Sequence, residues 1–198
     1  MIHGIAIMGL NGCGKSTLAH EIARKIGFYE MDVEDYYFPE QKYSRQAVLE
    51  HKHNVKCEYK GAFPYSVPRS KTEVEEMIRD DIEKHPQFII SGVTMNWEEN
   101  VLSAIDVEFI LEVPTNERVK RVQQREEIRF GARVMPGGDM YEQQKEFRDI
   151  ITNRSSQSVE ESANRLRCKK VKLDGTKSID ENVSVIMRTL EEMDYLNC

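Results

Sequence analysis

The chain has 198 residues, 39% hydrophobic and 31% charged, with a formal net charge of −6. That suits one domain with a core of its own, and the acidic balance leans against a nucleic-acid partner, which leaves a basic footprint. No apolar run approaches the eighteen or more residues that span a membrane.

The N-terminal "MIHGIAIMGL" is apolar but lacks a basic leader, so it is read as a buried strand, Ile2 to Met8, and not as a signal peptide. Four cysteines, Cys13, Cys57, Cys168 and Cys198, stand far apart, which predicts free thiols in a reducing cytoplasm. The strand runs into "GLNGCGKST", in which Gly9-x-x-x-x-Gly14-Lys15-Ser16 fits the phosphate-loop pattern at every fixed position. Side chains must stay clear if consecutive backbone N–H groups are to surround a triphosphate, and Gly9, Gly12 and Gly14 allow that approach. Asn11, Cys13 and Thr17 complete the expected ATP contacts. Lys15 supplies a point charge for the outer phosphates. The Ser16 hydroxyl is the expected Mg²⁺ ligand, with phosphate oxygens and water filling the remaining positions. Cys13 is read as a small filler, because no neighbouring base is visible to activate it. A helix follows over Lys15 to Ile26 and stops at Gly27.

Phe28 to Met31 forms a second strand, leading into "MDVEDYYF". Asp32, Glu34 and Asp35 crowd together there. A carboxylate at a strand end can orient an acceptor hydroxyl and take its proton. Asp32 is the first choice for that role and for the Mg²⁺ shell, with Asp35 second. Capping of a following helix by either aspartate is the competing reading. A polar helix is expected over 40–56 and a loop over 57–69. His51, His53 and Cys57 lack a fourth partner nearby and are not taken as a metal site. Ser70 or Thr72 caps a helix whose inward stripe is Val74, Met77, Ile78 and Ile82. Arg69 and Arg45 are the cations available to an acceptor phosphate. Tyr36, Tyr37 and Trp97 could stack on a base, although packing is the preferred reading. The third strand, Phe88 to Ser91, ends without the acidic pair of a motor ATPase, and no Asn-Lys-x-Asp segment reads guanine.

A fourth strand spans Ile105 to Val113, and Pro114 and Thr115 open a long basic helix. Arg121, Arg125 and Arg129 recur every four residues and share one face. Arg133 follows in the glycine-rich stretch 131–141, and a helix returns from about Glu142 to Arg154. A solvated face paired with Glu117, Glu126 and Glu127 is the competing reading. "KKVKLDG" is the fifth strand. A final helix starts at the Ser178/Glu181 capping box and buries Ile179, Val183, Ile186 and Leu190. Strands thus alternate with helices five times. The expected fold is α/β, a five-stranded parallel sheet with helices on both faces and ligands at the carboxyl ends of its strands. The whole of 1–198 is one domain, with a mobile lid insert at about 126–142 and an acceptor-binding insert at about 34–85.

With its phosphate loop, arginine-bearing helix and "LDGT" after the last strand, the chain resembles the nucleoside monophosphate kinase group of small P-loop kinases. By that resemblance Arg125 best matches the lid arginine on the phosphates, Arg129 and Arg133 come next, and Gly175 lies beside adenine. "RFGARVMPGGDMYE" followed by "LDGTKSIDENV" is similar to bacterial proteins labelled P-loop or AAA-type ATPases, a label that assigns no activity. The acidic segment loosely resembles that of shikimate, gluconate and uridine kinases. The Asp-Gly-x-Pro-Arg segment of adenylate kinases is replaced here by "SGVTMNW", so an acceptor without a phosphate stays open. The resemblance implies an ATP- and Mg²⁺-dependent kinase acting on a small acceptor. The alternative is an ATP-binding regulator that hydrolyses slowly and signals to a protein partner. The sequence carries no signal for oligomeric state.

Overall fold

In the computed structural model of the protein, residues 2–42, Arg45 and residues 68–196 are described. Most of the helix expected at 40–56 and of the loop at 57–69, with His51, His53, Cys57 and Cys198, lie outside the described residues. Five strands, β1 (Gly4–Met8), β2 (Tyr29–Asp32), β3 (Phe88–Gly92), β4 (Val107–Glu112) and β5 (Lys169–Asp174), form one sheet. Its order is β2-β3-β1-β4-β5 and every pairing is parallel. β1 and β3 are buried along their whole length, as their unbroken apolar runs require of central strands. β5 lies at an edge and carries Lys169, Lys170 and Lys172, which discourage pairing with another chain.

Alternation along the strands divides the core in two. On one face Ile5, Ile7, Val107, Phe109 and Leu111 meet Leu18 and Ile22 of α1 (Lys15–Ile26) and Val183, Ile186 and Leu190 of α8 (Ile179–Leu196). On the other, Ala6, Met8, Met31 and Ile90 meet three helices: α3 (Lys71–Lys84), α4 (Glu99–Leu102) and α7 (Gln157–Arg165). Ser70, and not Thr72, caps α3, closing a reciprocal box with Glu73. The inward stripe of α3 is narrower than expected. Val74 and Ile78 are fully buried, but Met77 is 37% exposed at a cavity rim beside Tyr29 and Asp81. No helix was expected at α7, because its buried face is only Val159, Ser162 and Ala163. Ser162 contributes a specific contact, its hydroxyl accepting the Met95 backbone N–H.

α5 (Thr115–Phe130) is the long basic helix. It passes into a short 3-10 turn, Gly131–Val134, and α6 (Tyr141–Asn153) returns. Cys13 and Cys168 are free thiols. No helix among the described residues is long and apolar enough to cross a membrane.

β1 lies between β3 and β4, so the connections from β1 and β3 pass to opposite sides of it. That reversal opens a crevice beyond the carboxyl ends of the strands.

Candidate active site

The phosphate loop fills the turn from β1 to α1. Gly12 has φ +83°, and a Cβ there would lie 2.4 Å from the Arg118 carbonyl oxygen, so only glycine fits. Gly14, at φ +95°, precedes α1 and offers its first turn no side-chain cap. The leading N–H groups of α1 are therefore left for an anion. Lys15 is buried and its Nζ donates to the Leu10 carbonyl at 3.2 Å. Burial lowers its pKa, opposed by the negative charge of Glu34 and Asp32. Cys13 is buried as well, and burial raises its thiol pKa despite Lys15 and Arg118 nearby. It is a protonated filler.

A cavity of about 480 Å³ opens over this loop. Asn11 to Thr17 line it, as do Glu34, Arg45, Arg121, Arg125, Arg129, Gly175 and Asn182. The Arg121 guanidinium donates to the backbone carbonyls of Gly175 at 3.0 Å and Cys13 at 3.4 Å. It ties the phosphate loop to the segment after β5. Sequence reasoning placed Arg121 on one helix face with Arg125 and Arg129 but gave the phosphate contact to the arginines further along and no role to Arg121.

Those arginines differ from one another. Arg125 lines the cavity and is paired with Glu126 at 2.7 Å. Arg129 lines it too but is buried, held by Glu126 at 3.1 Å and Gln41 Oε1 at 3.1 Å, with its guanidinium 4.8 Å from the Phe130 ring centroid. The structure does not bring Arg133 to the cavity. α5 ends at Phe130, Gly131 takes φ +57°, and the four-residue repeat is broken. Arg133 instead makes a forked pair with Asp139 at 2.7–3.2 Å.

Asp32 caps α2 (Val33–Tyr37), its Oδ1 accepting the Glu34 N–H at 3.0 Å. The capping reading therefore describes the geometry, and Asp32 does more besides. Its other oxygen meets the Arg45 guanidinium, which also reaches Glu34, Asp35 Oδ1 at 2.8 Å and Ser16 Oγ at 3.2 Å. Burial works to raise the Glu34 pKa, but Arg45, Lys15 and Arg125 outweigh it and hold Glu34 well below the usual carboxylate range. Burial prevails at Asp35 and pushes its carboxyl up to about 6. Among the described residues no three carboxylate, His or Cys side chains gather in a metal-holding arrangement. Ser16 and Asp32 still fit a hard cation, since a guanidinium nitrogen already stands between them, with phosphate and water as further ligands.

Two more cavities flank this cluster. One, of about 510 Å³, lies along the β2 edge. It holds Asp32, Asp35 and Arg69, with His20 hydrogen-bonded to Glu30 at 2.8 Å and Tyr36 to Asp81 at 2.6 Å. Arg69 donates to the Tyr36 carbonyl at 3.0 Å. The other, of about 620 Å³, lies beyond β3 and has aromatic walls of Tyr37, Phe38, Trp97 and Phe147. Tyr37 and Trp97 are nearly parallel, at 23°, with centroids 6.4 Å apart. Asn11, Glu34, Lys71, Thr94, Asn96 and Arg154 supply polar groups, and Arg154 donates to Asn11 Oδ1 at 3.0 Å. Arg154 and Phe147 were missed as site residues, because only the return of α6 brings them to the phosphate loop.

A phosphate loop at the first strand of a five-stranded parallel sheet in this order, with an arginine helix across it, defines the P-loop kinase fold. The AAA domain family model matches residues 5–135, more than half of the chain, and the chain belongs to that family. It is 23% identical over 205 residues to the uncharacterized protein YqaC of Bacillus subtilis (strain 168), across 100% of this chain and 99% of that protein. Its fold is similar to a gluconokinase from Sinorhizobium meliloti 1021, with TM-score 0.52, 13% identity and coverage of 99% of this chain and 98% of that one. It is similar also to a deoxyadenosine kinase from M. mycoides, with TM-score 0.51, 18% identity and coverage of 96% and 99%. These structural neighbours are small-molecule kinases and share the fold.

Proposed function

We propose that the protein is an ATP- and Mg²⁺-dependent phosphotransferase acting on a small hydroxyl-bearing acceptor held in the aromatic cavity. The observation that carries this reading is that Asn11 and Glu34 line both the phosphate-loop cavity and the aromatic one. An acceptor there abuts the outer phosphate, whereas among the described residues the β2-edge cavity with Asp35 and Arg69 shares only Arg45 with the nucleotide side. The aromatic walls suit a flat ring system, since stacking a heterocycle on such rings contributes about 1–3 kcal/mol.

In this reading Lys15 and the loop amides hold the β- and γ-phosphates, and Arg121 with Gly175 bounds the base end. Ser16 and Asp32 would hold the Mg²⁺, which neutralises phosphate charge when bound. Glu34, on the wall shared by the two cavities, accepts the acceptor hydroxyl proton. The hydroxyl oxygen bonds to the γ-phosphorus as the bond from that phosphorus to the β–γ bridging oxygen breaks, and ADP leaves. Arg125 and Arg129 offset the charge spread over the transferring oxygens.

The test is ADP release across a panel of nucleosides, nucleotides and polar metabolites, with Lys15→Ala as control. An acceptor that stimulates release in the wild type and not in folded Lys15→Ala supports the proposal. Slow release that no acceptor stimulates points to the regulator instead. Normal turnover in Lys15→Ala removes the assignment of the phosphate loop.

A further inference from the structure

We infer that Arg45 stands in for the divalent cation and must be displaced before metal enters. The inference rests on the reading that Ser16 and Asp32 hold the metal. Nη2 of Arg45 contacts both Ser16 Oγ, at 3.2 Å, and the Asp32 carboxylate. An ion shared by those two oxygens would lie between them, in the space that nitrogen now takes up, and would have to sit closer to Ser16 Oγ than the 3.2 Å at which the nitrogen stands. The remaining guanidinium nitrogens engage Glu34 and Asp35, so one buried cation spans three carboxylates and the phosphate-loop hydroxyl. Guanidinium and metal are mutually exclusive on steric and electrostatic grounds.

The physical need for such a stand-in is plain. Asp32 is buried, and Glu34 and Asp35 crowd round the same guanidinium. Carboxylates this close, without a cation, would repel one another. Arg45 offsets part of that charge through a planar fork that cannot deprotonate. It lines both the nucleotide cavity and the β2-edge cavity, so the side chain has space to either side when it swings off the metal position. The chain therefore binds nucleotide phosphates with the charge of the cluster already partly offset, and metal binding is a competition against an internal cation.

The experiment is Mn²⁺ titration followed by electron paramagnetic resonance on the full chain saturated with ADP. Wild type is compared with Arg45→Gln, Arg45→Lys and Asp32→Asn, each checked for fold by circular dichroism. Removing one positive charge at contact distance should tighten Mn²⁺ binding in Arg45→Gln by about tenfold or more. Arg45→Lys keeps the charge without the fork and should fall between Arg45→Gln and wild type. Asp32→Asn should weaken binding. Equal or weaker Mn²⁺ binding in either folded Arg45 variant overturns the inference. If ADP binds while neither wild type nor Arg45→Gln takes Mn²⁺, the metal position at Ser16 and Asp32 falls, and the inference with it. Acceptor-stimulated ADP release, measured separately, still decides the phosphotransferase reading.

Discussion

Two carboxylates two residues apart share Arg45 but face different cavities. Asp32 ends β2, caps α2 and lies against Arg45 and the β2-edge cavity. Glu34, in the first turn of α2, reaches both the nucleotide and aromatic cavities. Their isosteric amides should therefore have distinct effects. Asn caps a helix as well as Asp, so Asp32→Asn should keep the start of α2 capped while raising the Mg²⁺ concentration needed for half-maximal turnover. Glu34→Gln should leave that requirement near wild type and lower acceptor-dependent turnover by about 10²–10⁴-fold, the usual worth of a positioned proton acceptor. Steady-state ADP release at varied Mg²⁺ separates them. An unchanged turnover in Glu34→Gln would return the acceptor role to Asp32.

The segment from α5 to α6 shows how an element can be legible in type and misjudged in detail. Its three glycines and proline mark a turn with little to anchor it. The structure supplies a small anchor, a cluster of Phe130, Val134 and Met140, reinforced by the Arg133–Asp139 fork. Arg129 adds a link from α5 to Gln41. The cluster stands apart from both main cores, so it costs little to open. Residues 126–142 should exchange their amide hydrogens faster than β1 or β4 in the free protein and slow down on binding a non-hydrolysable ATP analogue. Equally strong protection with and without the analogue would make the segment a fixed connector.

For the whole molecule, one buried charge sets a pH dependence unconnected with the site. Glu108 lies mid-strand in β4, wholly buried, with both carboxyl oxygens lacking a hydrogen-bond partner among the described residues. Burial pushes it up to about 7 from the ordinary 4.5, although Lys170 pulls the other way. The unfolded chain then loses this proton before the folded chain does. Stability from this group is greatest below about pH 4.5 and falls as pH rises toward 7, with a slope of at most about 1.4 kcal/mol per pH unit. Glu108→Gln should flatten that part of the curve, as read by urea unfolding between pH 5 and 7.5. Identical slopes in wild type and variant would mean that the carboxyl is hydrated or paired after all.

What the sequence by itself determined is whatever short-range chemistry dictates. The phosphate loop requires its glycines, lysine and serine at fixed spacing, and the apolar runs and capping boxes specify five strands and the longer helices between them, while α2, α4 and α7 went unread. For the same reason the arginine face of α5 could be read, since helical geometry alone places Arg121, Arg125 and Arg129 together. Tertiary structure decided what each of those groups meets. The exit at Gly131 turned Arg133 away from the cavity, and the return of α6 brought Arg154 and Phe147, distant in sequence, to Asn11 and the aromatic wall. Arg45 reached Asp32, Glu34, Asp35 and Ser16 together, a convergence that no spacing encodes. Propensity and periodicity act within a few residues of the chain, whereas the pairing of a buried charge depends on which segments the packed sheet and helices bring within a few ångströms of it.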